Sequence, residues 1–408
     1  MTINKNKTRI ICIGAGAAGL FFALNVKNDD NEVILIDSNS KVGRKIYISG
    51  KGRCNITNNC DIKEFINNVV RNPKFLYSAI NNFKPADTIE FFNSHNCPLK
   101  TERGNRVFPV SDKSTDIIDC LLRECRNSKV DIIFEETIKD IKKENDEFIL
   151  IGNKDKYICD KLVIATGGKS YSSTGSKGDG YRFAKEFGHN IVELKSALCP
   201  IKIKEKINKD MLKITLKNVS LRVKNNKFDK TIFGDIEFLN NSITGPISLS
   251  MSSLINRLDN IELYLDFKPA LDLEKLDNRL LREISKEPNK DVKYLLSTLL
   301  PSALVKFFMD NIDYDYDQKL NSLNKDNRLL ILKYLKQFKL TFNGLEDIDK
   351  GIITSGGVDI KEIDPKTMES KIVNDLYFIG EVLDVDALTG GFNLQISLST
   401  AYACASHI

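Results

Sequence analysis

The chain has 408 residues and 42% hydrophobic content, enough to bury the cores of two or three domains. Its 60 basic and 55 acidic side chains leave a net charge of +5 that is spread along the sequence; this speaks for solubility and against a nucleic-acid partner, for which a clustered basic face is expected. No apolar run approaches the ~20 residues of a membrane helix, the polar start from Met1 to Arg9 lacks the apolar region of a secretory signal, and nine cysteines without such a signal read as reduced thiols of a cytoplasmic protein.

Residues 9–37 read as strand, turn, helix, strand. Ile10-Ile11-Cys12-Ile13 is a continuous apolar run, the mark of a buried parallel strand. Glycines 14, 16 and 19 follow, then a helical stretch from Leu20 to Val26 and a second buried strand, Val33 to Ile36, ended by Asp37. Helices are expected around 62–70, 73–95 and 114–126, and a β-meander over 130–164. Short alternating runs over 200–267 predict an antiparallel sheet or small barrel. Leu, Lys, Asp and Asn at helical spacing over 272–335 predict helices, with Pro301 starting one. Buried-strand character returns after 340, clearest at Leu376 to Ile379, and a last helix runs toward Cys404. The expected division is a dinucleotide-binding domain over 1–195 and 342–408, a β-barrel-like insertion over 196–271 and 318–341, and a helical subdomain over 272–317.

Four motifs carry chemistry. The first is Gly14-Ala15-Gly16-Ala17-Ala18-Gly19, placed between a strand and a helix, with the acid Asp37 18 residues past the last glycine. Gly14 permits the tight turn, Gly16 lets backbone approach a pyrophosphate, and Gly19 lets helix pack on strand. The helix N-terminus attracts the phosphates, and Asp37, followed by Ser38, is placed to accept ribose hydroxyls. The second motif holds Arg44 and Lys45, then Ser49-Gly50-Lys51-Gly52-Arg53-Cys54-Asn55 and Thr57-Asn58. Small residues mixed with cations and amides suit a loop that wraps phosphate and a polar ring edge. The third is Ala165-Thr166-Gly167-Gly168 at the end of a buried strand, where returning chain comes close to a dinucleotide. The fourth is Gly380-Glu381, a carboxylate at a strand tip suited to ribitol hydroxyls, with Thr389-Gly390-Gly391-Phe392-Asn393-Leu394 opening the final helix. Its positive dipole end would favour the negative charge of a reduced flavin.

These residues resemble the HI0933-like flavoproteins, NAD(P)/FAD-dependent oxidoreductases with activities called aminoacetone oxidase and 3-dehydro-bile acid Δ4,6-reductase. The resemblance runs through GRK…SGKGRCNITN at 43–58, ERGNRVFPVSDKS at 102–114, ATGGKSYSSTGSKGDGY at 165–181, TSGGV…EIDPKTMESK at 354–371 and LYFIGEVLDVDALTGGFNLQ at 376–395. It implies a glutathione-reductase-like FAD-binding α/β fold interrupted by an antiparallel β-barrel with a helical subdomain. It also implies adenine near Ile138, pyrophosphate on Gly14 to Gly19, and the isoalloxazine between the 49–58 and 389–395 loops, with the insertion shaping a small-molecule substrate cleft. The Thr-His pair usual before Ser-Gly-Pro is missing from Phe238 to Pro246, and Ser172 stands where a proline commonly follows Ser-Tyr. Any acid–base role of that histidine has no carrier here, so no catalytic residue is assigned.

The implied activity is FAD-dependent reduction of an activated C=C, such as a 3-oxo-steroid enone, through hydride transfer at flavin N5 with NAD(P)H as donor. A single glycine fingerprint gives NAD(P)H no domain of its own, and an amine oxidase using oxygen is the alternative. A non-catalytic flavin-binding module acting on RNA or another protein is a third reading. No Cys/His spacing matches a metal site. Cys120 and Cys125, five residues apart on a helix, point away from one another and make a poor redox pair. Cys54 is read as a packing or flavin-contact residue and His189 as a helix-end residue. The sequence carries no signal of oligomeric state.

Overall fold

The computed structural model describes residues 7–408. The chain forms two compact units. One runs to Ala197 and resumes at Ile348; the other is Leu198–Asp347.

The first unit is built on five parallel strands in the order Leu376–Phe378, Lys161–Ile164, Thr8–Ile13, Asn31–Ile36, Asp131–Ile133. Four of them are the apolar runs expected to be buried on both faces. Ile11 lies beside Leu162 on one side and Ile34 on the other, which aligns the ends of Thr8–Ile13, Asn31–Ile36 and Lys161–Ile164. The helix Ala17–Val26 and the terminal helix Phe392–Ala405 pack together, and most residues of both are buried with none exposed, so neither shows a polar stripe. A three-stranded antiparallel sheet covers 138–159, its first turn made by Asn145 and Asp146, both left-handed, as a two-residue hairpin of this twist requires. The expected meander therefore starts only at Ile138, because Asp131–Ile133 joins the parallel sheet.

The helix expected over 73–95 is three pieces. Pro73–Leu76 is a 3-10 turn, Tyr77–Asn82 is a short helix, and Phe83 turns extended before Pro85 opens Pro85–Ser94. A hairpin not expected from the sequence, Leu99–Glu102 with Arg106–Pro109, pairs onto Thr57–Asn58.

The second unit holds a seven-stranded antiparallel sheet in the order Phe338–Leu340, Glu262–Asp266, Thr215–Lys224, Asp229–Phe238, Ser242–Thr244, Ile201–Ile203, Phe342–Leu345. Helices Leu273–Lys286, Val292–Ser297, Ser302–Asn311 and Lys325–Lys336 follow, the third with Pro301 as its cap. Leu263, Leu265 and Phe338 of the sheet share one apolar core with Leu276, Leu280, Phe307 and Leu335 of the helices. The helical stretch is thus part of this unit and extends past 317. The second boundary lies beyond the expected 341/342 because Phe342–Leu345 pairs with Ile201–Ile203. A further helix, Pro246–Ile255, interrupts the stretch read as sheet. No helix among the described residues is long and apolar enough to cross a membrane.

Candidate functional site

The four motifs converge in the first unit. At the end of Thr8–Ile13, Gly14 takes φ +110 and its N–H donates to the carbonyl of Ile36 at 2.8 Å. A Cβ on Gly14 would lie 2.5 Å from the carbonyl oxygen of Ala165, so the third motif passes directly over the first. A Cβ on Gly19 would lie 1.8 Å from the carbonyl oxygen of Gly14, which requires glycine where helix meets turn. Gly16 is different: a Cβ there meets nothing within 4 Å. It opens the helix Ala17–Val26 with no side-chain cap, so the first-turn N–H groups that every helix leaves without an intrahelical acceptor face an open cradle.

Asp37, at the tip of the next strand, accepts from the N–H of Ala15 at 2.7 Å and from both the backbone and side-chain amides of Asn39 at 2.8 Å. Three of about four acceptor positions are used, leaving one on Oδ2. Ser38 is exposed between them, and Arg44 donates to the Asn39 side chain. Glu135 and Glu136 donate backbone N–H groups to the carbonyls of Asn39 and Asp37, so the chain leading to buried Ile138 runs alongside this acid.

Lys45 donates to both oxygens of Glu381, at 2.8 and 2.7 Å, and to the Ser170 hydroxyl at 2.6 Å. Glu381 also accepts from the N–H of Thr354 at 2.9 Å, and the Thr354 hydroxyl accepts from the N–H groups of Lys169 and Ser170. A Cβ on Gly168 would fall within 2.7 Å of both Thr354 and Glu381 side-chain oxygens. A Cβ on Gly380 would meet Ala18 at 2.9 Å, which fixes the fourth motif against the fingerprint helix. Ser170, Thr354 and Asn39 were absent from the expected site. Ser170 and Thr354 lie inside quoted motifs, but nothing local marks a hydroxyl that binds a carboxylate or two amides.

In the second motif Gly50, Lys51, Gly52 and Cys54 are all left-handed, with Ser49 accepting from the N–H of Cys54 at 3.0 Å. The Arg53 N–H is likewise spent inside the turn, on the carbonyl of Gly50 at 3.3 Å. Thr57 donates to Gln395 of the terminal helix, and Asn58 donates to the carbonyls of Gly104 and Gly390 at 3.1 and 3.0 Å. Gly391 caps that helix with φ +99, and a Cβ there would lie 2.3 Å from the Thr57 carbonyl oxygen. Asn393 closes the loop on both backbone groups of Ala387, Phe392 packs edge-on against Phe65, and Leu394 is half-buried. Arg53 departs from expectation. Its guanidinium is committed to Glu102 and Asp112 and lies over the Phe108 ring at 4.2 Å, so the expected phosphate contact has no free donor fork.

Cys54 is fully buried, and burial pushes its thiol up to about 12 against a partial offset from Ser49. It stays a thiol, with no nucleophilic character. No disulfide joins the nine cysteines. Cys120 faces the carbonyl of His95 while Cys125 donates to the carbonyl of Leu20. His189 is buried between Glu362 at 3.0 Å and Ser370 at 2.8 Å, against the Phe378 ring, which makes it a structural tie. No cluster suited to a metal ion occurs among the described residues.

The residues present fit a flavin dinucleotide. The open cradle over Gly16 matches a pyrophosphate. The buried side-chain oxygens of Asn55, Asn58 and Thr166 have no protein partner, an arrangement that buried polar groups adopt where a ligand supplies the missing bond. Fold and site together define an FAD-dependent oxidoreductase. The model of the HI0933-like protein Rossmann domain matches residues 8–407, and the chain belongs to that family. It is 32% identical over 400 residues to a ribosomal RNA dihydrouridine synthase of Escherichia coli (strain K12), covering 98% of this chain and 97% of that one. It is 26% identical over 402 residues to a 3-dehydro-bile acid delta(4,6)-reductase of Clostridium scindens, covering 97% of each. Among solved structures, a 3-ketosteroid delta1-dehydrogenase from Sterolibacterium denitrificans shares the fold at a TM-score of 0.51, with 12% identity over 98% of this chain and 99% of the other.

Proposed function

We propose that this chain reduces a C=C bond conjugated to a carbonyl, that its substrate class is uracil in ribosomal RNA, and that NAD(P)H supplies the electrons. One observation carries this reading. Two relatives that span nearly the whole chain are named for reactions that saturate the same kind of bond. In dihydrouridine the saturated bond is C5–C6 of uracil, conjugated to the C4 carbonyl; in a 3-oxo-Δ4,6 steroid it is the enone system. The higher identity, 32% against 26%, favours the RNA base. This replaces the expectation of no nucleic-acid partner, which rested on total charge.

Bound FAD would supply the two-electron hydride chemistry. The chain's part is to hold it. Gly14 to Gly19 take the pyrophosphate, Asp37 takes a ribose hydroxyl, and the 49–58 and 389–395 loops enclose the ring. The product needs a hydride at uracil C6 and a proton at C5, with NAD(P)H leaving as NAD(P)+. Purified protein with FAD, NADPH and deproteinised ribosomal RNA should raise digested uridine by 2 Da on mass spectrometry. No dihydrouridine, with turnover of a 3-oxo-4,6-diene steroid instead, would overturn the RNA reading in favour of a small enone.

A further inference from the structure

The tip of the hairpin Leu99–Glu102/Arg106–Pro109 is bonded to the 49–58 loop and, through Asn58, linked to the terminal loop. Asn58 bridges the Gly104 carbonyl at the tip and the Gly390 carbonyl of the terminal loop. Gly50 approaches the hairpin's Phe108 ring, with a Cβ position 3.4 Å away. The tip is a three-residue loop, since Glu102 pairs with Arg106, and Gly104 and Asn105 are both left-handed. The Asn59 N–H adds a bond to the Asn105 carbonyl at 2.7 Å, so the turn is tied beside the candidate flavin site.

Charge is divided unevenly along this hairpin. Its inner cations are neutralised: Arg53 by Glu102 and Asp112, Lys100 by Asp112 at 2.7 Å. Its outer cations are not. Arg103 and Arg106 are exposed, and neither has a carboxylate in ion-pair reach among the described residues. Glu102 sits across the ladder from Arg106, but its oxygens are taken by Arg53. Arg106 donates to the Arg103 carbonyl at 3.1 Å and reaches toward the Phe108 ring, which orients its guanidinium without discharging it. Lys51, exposed in the adjoining left-handed turn, adds a third cation without an ion-pair partner. Five cations face two carboxylates here, an excess of three in a chain whose whole excess is five. The expectation that positive charge is spread evenly fails at this hairpin.

We infer that the 99–109 hairpin is a phosphate-gripping arm, and that Arg103 and Arg106 hold the RNA backbone flanking the base presented to the flavin. The inference rests on RNA being the substrate. A small enone has no phosphates for two exposed arginines, carried on a hairpin bonded to Asn58, to contact. Guanidinium forks match phosphate oxygens bidentately, and such contacts position the strand without reading sequence. A second cationic region makes the natural control. The cleft of about 500 Å³ lined by Lys169, Lys177, Arg182 and Lys185 is partly discharged by its own Glu186, which pairs with Arg182.

The test is fluorescence anisotropy with a labelled single-stranded oligouridylate, titrated against salt on FAD-loaded protein. Arg103→Ala/Arg106→Ala should lower the slope of log affinity against log salt by about 1.4, at roughly 0.7 per contact for single strands. Arg103→Lys/Arg106→Lys should keep most of that slope, since the charge remains. FAD content and melting temperature should stay as in the parent, because both side chains are exposed. A parent protein without salt-dependent RNA binding, an unchanged slope in the double alanine variant, or a loss confined to Lys177→Ala/Lys185→Ala would overturn the inference. Hairpin-dependent binding without dihydrouridine formation would instead sink the proposed reaction and leave the phosphate contacts standing.

Discussion

Gly16 and Gly19 stand three residues apart in one motif, and the structure gives them opposite physical reasons for lacking a side chain. At Gly16 a Cβ meets nothing within 4 Å, and the backbone is extended at φ −85 and ψ −164, which valine tolerates. Gly16→Val should therefore change the stability of the FAD-free protein by less than ~1 kcal/mol, a modest helix-cap loss offset by reduced freedom of the unfolded chain. Its cost falls on the cofactor. Two charge-assisted hydrogen bonds from the helix N-terminus to the pyrophosphate are worth roughly 1.5–3 kcal/mol each, so losing both weakens FAD binding by about 10²–10⁴-fold. At Gly19 the Cβ would sit 1.8 Å from the Gly14 carbonyl oxygen, and turn and helix must part by well over an ångström. Gly19→Ala should cost about 3 kcal/mol of overpacking, lowering the FAD-free melting temperature by roughly 6–12 °C. Calorimetry of the FAD-free variants and flavin-fluorescence titration separate the two effects. Normal FAD affinity in Gly16→Val, or unchanged melting in Gly19→Ala, would refute the reasoning.

Gly391→Val should push the terminal loop off Thr57, whose carbonyl oxygen lies 2.3 Å from the new Cβ. Losing one hydrogen bond of roughly 1.5–3 kcal/mol to reduced flavin lowers the two-electron potential by about 30–60 mV; a redox titration that finds it unchanged or higher argues against this cap. Burial, opposed by Glu362, lowers the His189 pKa. The unfolded chain then takes up the proton first, so stability present above pH ~6.5 is lost as pH falls from there toward the lower folded value. His189→Gln should flatten that part of a denaturation-against-pH curve, and an equally steep curve would assign the acid sensitivity elsewhere. Cys54, with its thiol pushed up to about 12, should resist alkylation at pH 8 in the native protein and react on unfolding; mass mapping that finds it modified in the folded state contradicts its burial.

The parallel sheet was legible because each central strand is an unbroken apolar run, and the fingerprint was legible because strand, glycines, helix and acid share one short stretch. Features set by distant chain were not. Nothing near Arg53 shows that Glu102 and Asp112 will claim its guanidinium. The hairpin at 99–109 escaped notice because Lys100, Thr101 and Glu102 lack an apolar face, and its strands pair onto Thr57–Asn58. The helix Pro246–Ile255 was hidden by its serines, although Ile247, Met251 and Ile255 recur every four residues and are buried together. Pro85 marks the break in the 73–95 helix openly, since proline lacks the N–H that a continuing helix would need there.

The long excursion also bears on how the chain folds. Ile191–Ala197 and Ile353–Val358 are antiparallel neighbours, with Ala197 opposite Ile353. The excursion's own ends are paired as well, Ile201 with Leu345. Joining residues 197 and 353 through an unstructured chain costs about 3 kcal/mol more than closing a turn of a few residues, since closure entropy grows as (3/2)RT ln n. If Leu198–Asp347 condenses first, that cost is met inside its own sheet and the two strands are delivered side by side. The edge strand Leu376–Phe378 must still reach Lys161–Ile164 across the whole excursion. Collapse of the intervening 150 residues shortens that loop to a third of its length and removes about 1 kcal/mol from its closure. In that order of events, mutations that slow folding of the insertion should delay pairing of Leu376–Phe378 with Lys161–Ile164.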